Sequence, residues 1–187
     1  MSELVEGILG QLGPGGLAQI AGSLGVDEAA AGSAVSAALP AILAGMANNT
    51  SKPEGANALA GALNDHSLSI FDGLGGLLGG GGDGAKILGH VLGGRQSKVA
   101  GNLSQQSGLD LGVIMKLLPI LAPLVMGYLS NQKQSKGLDA GSLGGVLAQE
   151  RQQAESSSPG LGGLASILDS DGDGSVVDDL LGKITGQ

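Results

Sequence analysis

Six residues near the C-terminus have the types and spacing to hold a cation: Asp169, Asp171, Asp173, Ser175, Asp178 and Asp179. In the run Asp169-Ser170-Asp171-Gly172-Asp173-Gly174-Ser175 the carboxylates alternate, and a glycine follows the third of them. Calcium is a hard cation that takes about six to eight oxygens, so closely spaced carboxylates must converge on one point. The glycine supplies the sharp turn, as at the start of an EF-hand-like loop. With Asp169 as the first position, Ser175 is the seventh and offers its backbone carbonyl. The twelfth position, where a bidentate glutamate ordinarily closes the sphere, is Leu180. In a tighter loop Asp178, Asp179 or water closes it instead, and the affinity of such a loop is modest. Magnesium fits less well, because it demands near-octahedral geometry and keeps its waters. The plainer reading is an Asp/Gly/Ser turn whose carboxylates cap the helix expected over 176–184. Calcium is the one cofactor the sequence suggests.

Other chemistry is thinly supported. His66 and His90 are the only histidines. No Gly-x-Ser-x-Gly elbow or His-Glu-x-x-His motif accompanies them, and two ligands do not make a zinc site. His90 lies among Leu88, Val91 and Leu92, which predicts a packed, hydrogen-bonded core histidine; His66 reads as a turn or helix-end residue. Gly79-x-Gly81-x-x-Gly84 with Lys86 matches a dinucleotide fingerprint in form only. That fingerprint works after a parallel strand, and Leu74-Gly75-Gly76-Leu77-Leu78 is no such strand. The expectation is a protein without catalytic residues.

Composition bounds the partners. The 187-residue chain is 42% hydrophobic, enough to bury a core, and it lacks cysteine. Nine basic against 17 acidic residues give a net charge of −8. Such a balance argues against binding nucleic acid or an anionic membrane surface, both of which call for Lys and Arg. Aromatic residues, at 1%, offer no platform for stacking bases. The first residues, Met1-Ser2-Glu3-Leu4-Val5-Glu6, are acidic where a cleavable secretory signal is basic. The most apolar stretch, 109–129, contains Asp110, Lys116, Pro119 and Pro123. Its uncharged part, 117–129, falls short of the roughly 20 residues needed to span a bilayer, so a buried helix is expected. A cytoplasmic location follows by default, with leaderless export left open.

The elements that must carry these residues are helical. Only two threonines occur, and no segment alternates with the period of a strand. Leu4, Ile8 and Leu12 line a first helix that stops at Gly13-Pro14-Gly15-Gly16, and a second covers 17–24. Asp27 is placed to cap a long Ala-rich helix reaching about Met46, which Pro40 should bend or split. Asn48-Asn49-Thr50-Ser51-Lys52-Pro53 reads as a loop, followed by helices over 54–63, 69–78, 85–92 and 96–106. Asp110 could cap the next helix, to Leu129; 131–137 reads as polar connection, and helix resumes over 139–154. The domain organisation expected is a helical domain 1–154, a linker 155–160, and a C-terminal helix–acidic loop–helix 161–187.

A weak repeat runs through this pattern. Ala21-Gly22-Ser23-Leu24 leads through Asp27 to Leu39-Pro40-Ala41-Ile42-Leu43. Ala100-Gly101-Asn102-Leu103 leads through Asp110 to Leu118-Pro119-Ile120-Leu121. Two similarly built halves is one reading, and coincidence over a few positions is the other.

The segments Ile87-Leu88-Gly89-His90-Val91-Leu92-Gly93, Ser107-Gly108-Leu109-Asp110 and Leu117-Leu118-Pro119-Ile120-Leu121-Ala122-Pro123-Leu124-Val125-Met126-Gly127 resemble those of YidB-like bacterial proteins. The terminal Asp-x-Asp-Gly-Asp-Gly-Ser-x-x-Asp-Asp-Leu-Leu-Gly is similar to a tail that many of those proteins carry. The resemblance covers most of the chain and implies an all-helical bacterial protein; it brings no activity and no catalytic residue.

Glycine, at 37 residues, is far above the usual level of roughly 7% and follows no Gly-X-Y period. Pairs at four-residue spacing recur: Gly76/Gly80, Gly89/Gly93 and Gly141/Gly145, with Ala41/Gly45 similar. Such faces let helices approach closely, either within the chain or between copies of it. The expected fold is therefore an all-α, Gly-rich multi-helix bundle ending in a small helix–loop–helix. The expected function is that of a non-enzymatic structural protein that binds calcium at its C-terminal loop. It would associate with itself as a homo-oligomer or filament. The alternative is a small calcium-responsive regulatory or adaptor module that binds another protein.

Overall fold

A helix that is apolar on every side must lie at the centre of a bundle. The stretch from Leu117 to Leu129 has that character, and the computed structural model, which describes residues 3–65 and 83–157, places it there. In chain order the helices are α1 (Glu3–Leu24), α2 (Glu28–Asn49), α3 (Pro53–Asp65), α4 (Asp83–Leu92), α5 (Gln96–Ser107), α6 (Leu111–Lys136) and α7 (Ala140–Ser157). A single 3-10 turn, Gly93–Arg95, joins α4 to α5. The described residues are all-helical and contain no strand. Helices α2 and α6 pack on each other, and both are covered by α1, α4 and α5; α7 covers α2 and α3. Both central helices have the length and hydropathy of a membrane span, and their neighbours bury 56% of the apolar window of α2 and 67% of that of α6.

Local chemistry sets the helix starts. Gly25, Gly108 and Gly137 each take a left-handed conformation (φ 71°, 71° and 62°), which glycine adopts without a Cβ penalty. Each is followed two residues later by an aspartate that precedes the next helix. Asp27 accepts the Ala30 N–H at 2.8 Å and Asp139 accepts the Ser142 N–H at 2.7 Å. Asp110 occupies the cap position of α6 without making that side-chain bond. The Ser142 backbone N–H, and then its hydroxyl, hold the Asp139 carboxyl below the usual aspartate range.

Several boundaries differ from those expected. The break predicted at Gly13 is present (φ 61°, ψ 178°), but helix resumes at once, with Pro14 in a first-turn position it tolerates. Pro40 neither splits α2 nor ends it. Residues 131–136, expected as a connection, extend α6, where Lys133 binds the neighbouring α3. Lys133 Nζ donates to Ala60 O at 2.6 Å and to Asn64 Oδ1 at 2.7 Å; just before them, Ser130 Oγ donates to Leu63 O at 2.7 Å. Helix α7 runs on to Ser157, three residues past its expected end at Ala154.

One buried charge helps to close the bundle. Glu150 of α7 is only 7% exposed, and its Oε1 accepts the Leu4 N–H at 3.4 Å. A carboxylate thus lies at the start of α1, where the helix leaves backbone donors unpaired.

Candidate functional site: an apolar groove beside helix α2

The placement of α4 depends on two glycines that admit close backbone approach. In α6, the carbonyl of Pro119 would ordinarily accept from residue 123, but Pro123 has no N–H. Gly84, buried at the start of α4, comes up against that carbonyl oxygen, and any Cβ there would collide with it. At the other end of α4, Gly45 of α2 meets Leu92 and Val91, where an added Cβ would lie 2.7 Å from Leu92 Cδ2. Asn49 then fastens the end of α4: its Nδ2 donates to His90 O at 2.7 Å and to Val91 O at 3.2 Å. The last carbonyls of a helix lack partners within it, so Asn49 caps α4 from another element. Gly55 likewise brings the first turn of α3 against Asn49 O.

These anchors hold α3 and α4 to α2 while leaving space between them. The result is a groove of about 580 Å³, within the usual range for ligand sites. Met46 and Met126, both buried, line its base. Ala58, Leu59 and Ala62 of α3 face Ile87 and Val91 of α4 across it. Its polar lining is Asn49, Lys86 and His90, and no described lining residue carries a carboxylate, hydroxyl or thiol. The His90 Nδ1–H donates to Lys86 O at 3.0 Å. His90 is hydrogen-bonded as expected, yet exposed on the groove rather than packed in the core. A second hollow, of about 460 Å³, lies between α3 and α7 and is lined mainly by small residues such as Ala56, Gly141, Gly144 and Gly145.

The sequence-predicted site fares differently. Asp169, Asp171, Asp173, Ser175, Asp178 and Asp179 lie outside the described residues, as do His66, Gly79 and Gly81. Among the described residues no group of three or more His, Cys, Asp or Glu could hold a metal ion. Gly84, the last glycine of the nucleotide-like run, is set against an acceptor oxygen, where a phosphate needs donors. Of the four-spaced small residues, Gly45 packs against α4 within the chain, Gly93 makes the left-handed turn after α4, and Gly141 and Gly145 are exposed.

The groove escaped the sequence reading because its residues are far apart in the chain and Asn49 sat in an expected loop. The one local signal was His90, a polar residue inside an apolar helix.

Fold and groove together define an all-helical bundle with an apolar groove. The chain belongs to a bacterial protein family of unknown function, DUF937, whose model matches residues 6–132. The resemblance to YidB-like proteins is consistent with that membership. No curated protein and no solved structure matches the chain.

Proposed function

We propose that this is a non-enzymatic, self-associating helical protein whose groove receives an apolar helix face and whose C-terminal loop binds calcium. The groove carries the reading. Its walls are aliphatic, its base has two methionines, and its described lining holds no nucleophile or orienting acid beside His90. Methionine adapts to varied apolar shapes, and helix-in-groove recognition needs such a surface. Calcium enters through the spacing of Asp169, Asp171 and Asp173, with Ser175, Asp178 and Asp179 completing the sphere of an EF-hand-like loop. In the same reading the body consists of two similar halves. Supporting this, Gly25-Val26-Asp27 and Gly108-Leu109-Asp110 each join a helix to one of the two central helices through a left-handed glycine.

Light scattering on the full chain, titrated with calcium from a chelator start, tests the reading. A large, chelator-reversible rise in mass is expected. Calorimetry should show calcium binding lost in Asp169→Ala and in Asp173→Ala with helical content retained; binding unchanged in both would remove the loop. The second reading, a calcium-responsive adaptor, is favoured by the methionine base of the groove, which would also suit a helix of another protein. A constant monomer mass, with apolar exposure that changes on adding calcium, would select it.

A further inference from the structure

We propose that the groove docks residues 176–184 of a neighbouring copy of this chain, so that each copy gives its tail and receives another. This rests on the self-association reading and names the contact that produces it. Val176, Leu180 and Ile184 recur at four-residue spacing, with Val177 and Leu181 beside them. That is the anchor pattern of a helix entering an apolar groove. A helix of this length is about 13 Å long at 1.5 Å per residue, short enough to lie between two helices of two to four turns.

Charge favours the same occupant. Residues 158–187 carry Asp169, Asp171, Asp173, Asp178 and Asp179 against a single Lys183. The groove offers the exposed cation Lys86 and no carboxylate among its described lining residues. Opposed charges at the rim speed encounter and fix orientation, while the aliphatic contacts supply the affinity.

A neighbouring copy as the donor follows from the self-association reading, and the helix before the tail lies apart from the groove. Asn48 accepts from Arg151 Nη1 of α7 at 2.8 Å, whereas Asn49 reaches the carbonyls of α4. Helix α2 therefore stands between α7 and the groove. Beyond Arg151, α7 continues to Ser157, and Glu150 beside it already meets the start of α1, which contributes no described residue to the groove. Helix α7, which residues 158–187 follow in the chain, thus supplies no described residue to the groove. A tail-to-groove contact between copies is heterologous, and such contacts build rings or open filaments.

The absence of cysteine makes the test clean. Full-length Ile87→Cys and full-length Leu180→Cys are mixed, oxidised, and resolved on non-reducing gels. In that mixture only a contact between copies can join the two probes. A disulfide-linked heterodimer is expected, with none when exposed Lys98→Cys replaces the groove probe. Lys86→Cys, exposed on the same rim, serves if Ile87→Cys loses helicity. A double variant that closes only within its own chain would overturn the proposal, and so would no linkage in either format. In those cases light scattering on the unmodified chain separates the two ideas. Large mass without linkage leaves self-association standing through another surface, whereas a monomer removes both.

Discussion

Where α2 packs on α6, Leu39, Ile42, Leu43, Leu117, Leu118 and Leu121 are each at most 1% exposed. Where α2 meets α3 and α4, residues of the same kind, Leu59, Ile87 and Val91, remain partly open beside a groove of about 580 Å³. Hydrophobicity does not separate these two sides of one helix; anchoring does. On the open side α4 is pinned at its start by Gly84 on Pro119 O and at its end by Gly45 and Asn49. Helix α3 is tied to α2 by Gly55 and to α6 by Ser130 and Lys133. With both helices fixed elsewhere, their facing side chains need not meet. A region built this way leaves apolar side chains partly open beside fixed helices.

The strongest way to break this contrast is Gly84→Ala. The new methyl meets a backbone oxygen rather than a flexible side chain, so α4 must shift, at a cost of about 1–3 kcal/mol. Urea unfolding reads the loss; an unchanged midpoint would mean that α4 is not held there. The converse is Gly145→Ala in α7. This glycine is exposed with nothing near its absent Cβ, so the helix should gain about 0.5–1 kcal/mol. Destabilisation at this position would show that the small-residue face of α7 is occupied. Ala58→Asp, on the exposed rim of the groove, should change stability by no more than about 0.5 kcal/mol while impairing association.

The smallest effect expected is on pH dependence. Asp139 is held below the usual carboxylate range, so its contribution is present above the unfolded value, about 3.9, and is lost as pH falls through the lower folded value. Asp139→Ala should therefore be less stable than the parent at neutral pH, and the difference should close in strong acid. A difference that persists there would assign the effect to something other than charge.

What was legible in the sequence follows the range of the interactions involved. Gly25-Val26-Asp27 foretold a helix end and a capped helix start, because a left-handed glycine and an Asx cap act within a few residues. The length of α6 was not legible. Lys133 and Ser130 look like loop residues until α3 places carbonyls within their reach. Pro40 promised a bend or a break, but α2 continues through it, because burial on several sides outweighs one missing hydrogen bond. The groove joins Asn49, Leu59, His90 and Met126, which no local pattern connects. The acidic loop is the reverse case: its spacing is plain in the sequence, and it lies outside the described residues.

The most direct test is the solution mass of the parent chain and of Ala58→Asp, measured side by side by light scattering in calcium. Large assemblies of the parent, with Ala58→Asp remaining small at unchanged helical content, is the result this account predicts. Equal masses for the two proteins would contradict it.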